Sequence, residues 1–162
     1  VYLKKEDYDL ASKEVDEAIS ASRKINYLQE LGISYITKAL IGTKTFDFEL
    51  ANAFADKAME VAYKLSDKLT IAEVYRIKGI IQRNLKNYTL SENFLLTSLR
   101  LNKEAGNQLN VAETSNELGL LYRDMGRIKE SEQRFKDALD YYREIEAEPE
   151  IAEIEAVMKL LK

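Results

Sequence analysis

The sequence repeats itself every forty residues, and this period limits the folds open to the chain more than any other feature. The tripeptides at 71–73, 111–113 and 151–153 are each a β-branched residue followed by alanine and glutamate. Gly79 and Gly119 stand at the same position of successive units. Further members in the same register are Tyr8, Phe48, Tyr88 and Ile128, and then Ala18, Ala58, Ser98 and Ala138. Units that stay in register without an insertion predict one structural motif used several times.

Each unit predicts a pair of antiparallel helices. Apolar residues recur at helical spacing, as at Val111, Leu118 and Tyr122, and the six glycines and one proline leave long stretches without a helix breaker. The first helices are predicted at 31–45, 71–86, 111–126 and 151–162, and the second at 7–27, 48–66, 89–105 and 129–146. Turns are accordingly expected near 28–30, 45–48, 67–70, 87–89, 106–110, 126–128 and 147–150. A β-sheet anywhere would contradict the repeat.

Residues that cap helices stand at several of these boundaries. Thr70 and Thr89 are each followed three residues later by glutamate, which is the capping-box pattern for the start of a helix. Asn110 is predicted to cap the next first helix in the same way. Gly106 and Gly126 stand where helices are expected to stop, because glycine readily adopts the left-handed conformation of a helix end.

Small residues at fixed positions indicate that the two helices of a unit pack closely. Gly79 and Gly119 of the first helices, with the small residue at 98 or 138 of the second, leave room for two backbones to approach. One hairpin cannot bury both of its faces, so successive hairpins must stack. A bulky side chain at Gly119 is therefore expected to destabilise the whole stack.

At these positions the chain resembles the tetratricopeptide repeat family. The unit that matches best carries Leu118, Gly119, Tyr122, Gly126, Phe135 and Ala138. The resemblance implies an all-α fold, a right-handed superhelical solenoid of antiparallel helix hairpins. It covers nearly the whole chain as one domain, 1–162, with units at about 1–30 (partial), 31–70, 71–110 and 111–150 and a capping helix at 151–162. The forty-residue unit exceeds the usual length of about 34 and is similar to the extended repeats of bacterial signalling and peptide-sensing modules.

The composition argues against several other classes of protein. The absence of histidine and cysteine removes the usual general base, the Ser-His-Asp triad and thiolate or imidazole metal sites, so we expect no enzyme, no cofactor and no metal. The net charge of −4 lacks the basic excess of a nucleic-acid-binding protein, and no apolar run is long enough to cross a membrane. The absence of cysteine also fits a cytoplasmic protein. We interpret the acidic run at 144–150 as a solvated helix end and turn rather than a divalent-ion site.

The resemblance also implies a binding surface, because in this family the first helix of each hairpin lines a concave groove. The spacing of Arg76, Ile80 and Arg83 puts them on one helical stripe. Donors over an apolar floor suit an extended peptide that carries at least one carboxylate. The alternative is that Arg76 and Arg83 pair only with glutamates on a solvated helix face. The full predicted peptide site is Arg76, Ile80, Arg83, Asn84, Asn116, Leu120 and Arg123, and the unit before supplies Ile36, Leu40, Thr43 and Lys44 at the corresponding groove-facing positions.

These inferences lead to three hypotheses for function. The first is a scaffold that binds a protein or peptide partner in the concave groove, without direct contact to nucleic acid or membrane. The second is a ligand-sensing input module of a larger bacterial signalling protein, in which binding alters the superhelix and so the output of an attached domain. The third is a self-assembly module that forms homo-oligomers through the open ends of the stack.

Overall fold

A computed structural model describes the chain from residue 5 to residue 161, and within these residues it consists of eight α-helices without a β-strand. The helices are α1 (Lys5–Lys24), α2 (Leu28–Lys44), α3 (Phe48–Leu65), α4 (Lys68–Asn84), α5 (Tyr88–Ala105), α6 (Gln108–Asp124), α7 (Ile128–Glu144) and α8 (Glu148–Lys159). Consecutive helices pack against each other. The predicted all-α stack of hairpins is therefore confirmed. The second helices agree with the prediction within three residues, while each first helix begins three residues earlier than predicted.

Every turn between these helices has the same backbone conformation. The next N–H after a left-handed residue donates to the carbonyl five residues before it, as from Asn107 to Asn102 at 3.0 Å. This pairing is the Schellman motif, and it satisfies carbonyl groups that a helix end leaves free. The stops predicted at Gly106 and Gly126 are confirmed, since both have positive φ. The left-handed residues recur every twenty positions, with φ between 53° and 73°, at Asn26, Phe46, Ser66, Lys86, Gly106, Gly126 and Glu146.

The left-handed turns lead to a stability prediction at Lys86, an exposed residue with φ of 62°. A residue other than glycine in this left-handed conformation is destabilised by roughly 1 kcal/mol relative to glycine. We expect Lys86→Gly to raise the free energy of unfolding by about 0.5–1 kcal/mol, measured by urea titration. The converse control is Gly106→Ala. A Cβ there would meet nothing within 4 Å, so any loss of stability comes from the left-handed backbone conformation alone. Unchanged unfolding midpoints in both variants would contradict the prediction.

The helix starts differ from the predicted caps. Asp67, not Thr70, caps α4, and its carboxylate accepts from the backbone N–H of Thr70 at 3.2 Å. Asn107 caps α6 by accepting from the N–H of Asn110 at 3.1 Å, and Thr89 already lies inside the first turn of α5. The capping predictions at Thr70, Thr89 and Asn110 were therefore wrong. The reason is the turn: the N-cap directly follows each left-handed residue, so it comes three residues before Thr70 and Asn110 and two residues before Thr89.

The glycines inside the first helices make room for side chains of the second helices. A Cβ added at Gly119 would lie 2.6 Å from the ring of Phe135, and one at Gly79 would lie 2.5 Å from Leu95. The carbonyl of Gly119 also accepts a hydrogen bond from the buried Ser131 hydroxyl at 2.8 Å. Both glycines thus lie at close contacts between helices, but each makes room for a large buried side chain, and not for a backbone beside the small residue at 98 or 138 as predicted.

The even-numbered helices form the inner layer of the stack. Besides their hairpin partners, α2 contacts α4 and α4 contacts α6, whereas the odd-numbered helices make no comparable contacts with one another within the described residues. Helices that touch every second neighbour lie on the inner side of a curved stack. Buried apolar clusters between the inner and outer layers extend over α1–α4, α5–α6 and α6–α8. The curve brings α8 to face the first hairpin, since residues of both line one cavity.

Candidate binding groove

Arg76 lies on the inner face of α4 and joins it to α6. Its Nε donates to Glu73 of the same helix at 3.0 Å, and a terminal nitrogen pairs with Glu113 of α6 at 3.0 Å. The side chain is 12% exposed, so water screens these charges only weakly. Burial by itself acts to lower the pKa of Arg76, but the two carboxylates outweigh it and raise the pKa above its ordinary value. Arg76 is thus charged and held in place by the chain's own carboxylates.

The contribution of Glu113, on α6, to the stability of the fold depends on pH. Burial raises the pKa of Glu113, and the attraction of Arg76 offsets this only in part. Because the pKa is higher in the folded state, the contribution of this group is fully present below its ordinary pKa and is lost as the pH rises through the raised pKa. We therefore expect Glu113→Gln, which resembles the protonated carboxyl, to be more stable than the parent at neutral pH.

Urea titrations from neutral pH down to about pH 4 measure this effect, because the advantage of Glu113→Gln should shrink as Glu113 itself becomes protonated. Glu60→Gln serves as the control, since Glu60 is exposed on α3. A stability difference that stays constant over the whole pH range would contradict the assignment to Glu113.

Arg83 makes the second link between α4 and α6, and its ion pairs are longer. One terminal nitrogen lies 3.2 Å from Glu117 and the other lies 3.5 Å from Asp124. The Nε atom is buried and has no hydrogen-bond partner among the described residues. A buried donor without an acceptor costs about 1–3 kcal/mol relative to one that is bonded. Arg83 therefore keeps one buried N–H that none of the described residues satisfies.

The other predicted site residues also lie on α4 and α6, and two of them already bond within their own helix. Asn84 donates to the carbonyl of Ile80 at 2.8 Å, and Arg123 donates twice to Asp124, at 2.9 and 2.7 Å. The structure thus places all seven predicted residues on neighbouring inner helices, with the guanidinium groups paired to the chain's own carboxylates. The Arg76–Glu113 pair and both pairs of Arg83 run between helices, and the two guanidinium side chains are largely buried, unlike those of a solvated helix face. The apolar and amide members of the set are Ile80, which is buried, and Asn116 and Leu120, which are half-buried.

A cavity of about 640 Å³ lies between the first hairpin and α8. A second cavity of about 520 Å³ shares Tyr8, Ile41 and Lys44 with it and continues toward the start of α3. We call the two cavities together the end cleft. None of the seven predicted peptide-site residues lines it. Its facing walls include Leu40, Ile41 and Lys44 of α2 and Ala152, Glu153 and Ala156 of α8.

Sequence reasoning missed the α8 wall of the end cleft, although the repeat carries a signal for it. Glu153 and Ala156 stand forty residues after Glu113 and Asn116, and Asn116 belongs to the predicted groove stripe. Lys44, predicted as a groove-facing position, does line the cleft. The spacing could not show that the curve of the stack brings α8 opposite α2.

Residues 5–161 contain neither a group of three or more acidic side chains placed to hold a metal ion nor a helix that is both long and apolar enough to cross a membrane. The acidic run at 144–150 is divided between the end of α7, a turn and the start of α8. Glu148 and Glu150 lie in the first turn of α8, where the helix dipole favours negative charge. This part of the run therefore stabilises a helix start.

Comparison with known proteins agrees with this geometry. The family model of the tetratricopeptide repeat matches residues 70–144, from the first turn of α4 to the end of α7. No curated protein matches the sequence. Tetratricopeptide repeats generally mediate protein–protein interaction and serve as scaffolds. The segment from α4 to α7 thus matches the tetratricopeptide repeat family, and the rest of the described stack shares its hairpins and left-handed turns.

Proposed function

We propose that the chain is a scaffold that binds an extended segment of another polypeptide along the inner face of α4 and α6. The observation that carries the proposal is Arg83, whose Nε is buried without an acceptor and whose ion pairs are 3.2 and 3.5 Å long. A carboxylate of a bound peptide that takes the place of Glu117 or Asp124 would move the guanidinium and give its Nε an acceptor. Helices that are already packed need little ordering on binding, which favours affinity.

The partner segment is expected to carry at least one carboxylate. On the inner face, that carboxylate competes with Glu117 and Asp124 for Arg83, and with two further carboxylates for Arg76. Exchange at Arg83 costs less, because its pairs are longer and one of its donors is unsatisfied. Arg83 is therefore the main partner contact in this proposal, and Arg76 serves chiefly to hold α4 and α6 together.

Titration of a bound peptide against matched variants tests the proposal. Peptides selected from a random phage-displayed library on the wild-type protein serve as the ligand, and fluorescence anisotropy measures their affinity. Arg83→Gln should weaken binding roughly tenfold to hundredfold, which corresponds to about 1.5–3 kcal/mol for one charge-assisted contact. The matched control is Arg100→Gln, since Arg100 is exposed on α5 and pairs with Glu104 of its own helix. Failure to select any peptide, or equal affinities for all three proteins, would remove the inner face as the site.

The neutral substitution at Arg83 is preferred to a charge reversal. From the sequence alone, Arg83→Glu is expected to weaken binding and leave the fold intact. In the structure the new carboxylate would stand beside Glu117 and Asp124 and repel them, so this variant would also lower stability. Thermal melts of Arg83→Gln and Arg100→Gln, recorded before the titrations, distinguish a lost contact from a lost fold.

The other hypotheses from the sequence make separate predictions. An input module changes its overall dimensions when a peptide binds, which small-angle scattering measures. A self-assembly module shows a mass that rises with protein concentration. A cytoplasmic location and the absence of catalysis also stay predictions, the first tested by a fluorescent fusion and the second by turnover assays on the purified protein.

A further inference from the structure

The end cleft offers apolar surface that the proposed function does not use. Leu40 and Ile41 of α2 face Ala152 and Ala156 of α8 across the larger cavity. Its volume of about 640 Å³ lies within the range of about 300–1,000 Å³ that is usual for ligand pockets. The cleft is thus large enough to seat apolar side chains of a bound segment.

Carboxylates stand on both sides of this apolar surface. Glu150 and Glu153 line the larger cavity on the α8 wall, and Asp9 and Asp47 line the second cavity beyond Lys44. Asp47 also caps α3 by accepting from a backbone N–H. Among the described residues that line either cavity, Lys44 is the one cation, so the lining carries one positive and four negative charges. The end cleft is therefore acidic with an apolar centre.

We propose that the end cleft binds a basic segment of a partner polypeptide, with apolar side chains between α2 and α8 and lysine or arginine side chains on the flanks. Opposite charge favours such a segment, whereas an acidic segment would bring like charges together at a cost in affinity. The bound segment contacts the first hairpin and the last helix at once, and so bridges the two ends of the stack. This site goes beyond the proposed function, because no residue of α4 or α6 lines it.

A defined set of labelled peptides tests the chemistry of the cleft. Two probes share a Leu-Leu centre and have flanking lysines or flanking glutamates, and a third has flanking lysines around a Ser-Ser centre. In fluorescence anisotropy at low salt, we expect the lysine-flanked Leu-Leu peptide to bind at least about tenfold more tightly than either of the others. Equal affinity for lysine and glutamate flanks, or for Leu-Leu and Ser-Ser centres, would overturn the proposal.

Variants of the chain then locate the site. Ala152→Trp fills the cleft from an exposed position of α8 and should weaken binding of the lysine-flanked peptide about tenfold, since the added ring occupies the apolar centre. Ala53→Trp makes the same change at an exposed position of α3 outside the cleft and should leave the affinity unchanged. The double variant Glu150→Lys, Glu153→Lys should reduce the preference for lysine flanks.

Arg83→Gln separates this site from the inner face. It should leave the affinity of the lysine-flanked peptide unchanged, because Arg83 does not line the cleft. Loss of binding with Arg83→Gln but not with Ala152→Trp would assign the peptide to the inner face and overturn the cleft proposal. Loss of the phage-selected peptides with Arg83→Gln, together with loss of the basic peptide with Ala152→Trp, would support both sites independently.

A second copy of the chain is the alternative occupant of the cleft. Light scattering over a range of concentrations distinguishes it from a partner segment. A wild-type protein that stays monomeric has a cleft that is open to a partner, as the proposal requires. A dimer that Ala152→Trp dissociates would show that a second copy occupies the cleft and would overturn the proposal.

Discussion

Gly119→Leu is expected to lower the free energy of unfolding by about 3 kcal/mol, at the upper end of the usual cost of overpacking. A Cβ at this position would already lie 2.6 Å from the Phe135 ring, which is fully buried. The displacement would also disturb the hydrogen bond from Ser131 to the Gly119 carbonyl. Because the stack is stabilised by contacts between neighbours, we expect the urea transition of the whole chain to shift.

The first unit of the repeat suggests a control for this prediction. Ala39 and Ala55, both fully buried, occupy the positions that correspond to Gly119 and Phe135. Gly119→Ala should therefore cost less when Phe135→Ala removes the ring than it does in the wild-type protein. In a double-mutant cycle we expect a coupling of about 1 kcal/mol or more. A Gly119→Leu protein that unfolds like the parent, or a cycle without coupling, would show that Gly119 is not at a close contact.

Arg76→Met is expected to have the next largest effect, a loss of about 2–4 kcal/mol. Removing the guanidinium leaves Glu73 and Glu113 close together on the inner face with no cation between them. Breaking a buried ion pair by removing one partner commonly costs about 3–5 kcal/mol, and the partial exposure of Glu113 reduces that figure here. Urea unfolding at neutral pH measures the loss.

A compensated variant tests whether charge is the cause of that loss. Adding Glu73→Gln and Glu113→Gln to Arg76→Met removes the uncompensated carboxylates, so most of the lost stability should return. The loss in the single variant should also shrink as the pH is lowered, because protonation of Glu113, whose pKa burial raises, removes one of the uncompensated charges. If the triple variant is as unstable as Arg76→Met, then uncompensated carboxylate charge is not the cause of the loss.

Residue spacing alone predicted part of the candidate site. The repeat frame placed Arg76 and Arg83 on one stripe of α4, and the structure shows both on the inner face. It could not show that Glu113 and Glu117 of the next unit would already pair with them. Those contacts depend on the distance and rotation between α4 and α6, and no local pattern encodes either quantity.

The sequence by itself determined the all-α architecture, the pairing of helices and the glycines at close contacts. These features follow from local chemistry, because apolar periodicity, breaker residues and a strict forty-residue register act within one hairpin or between adjacent ones. The turns were decided by tertiary structure: Phe46 and Lys86 adopt a left-handed conformation that neither residue favours, because each chain reversal requires it. The end cleft also depends on the tertiary structure, because small rotations accumulate from hairpin to hairpin until α8 faces α2.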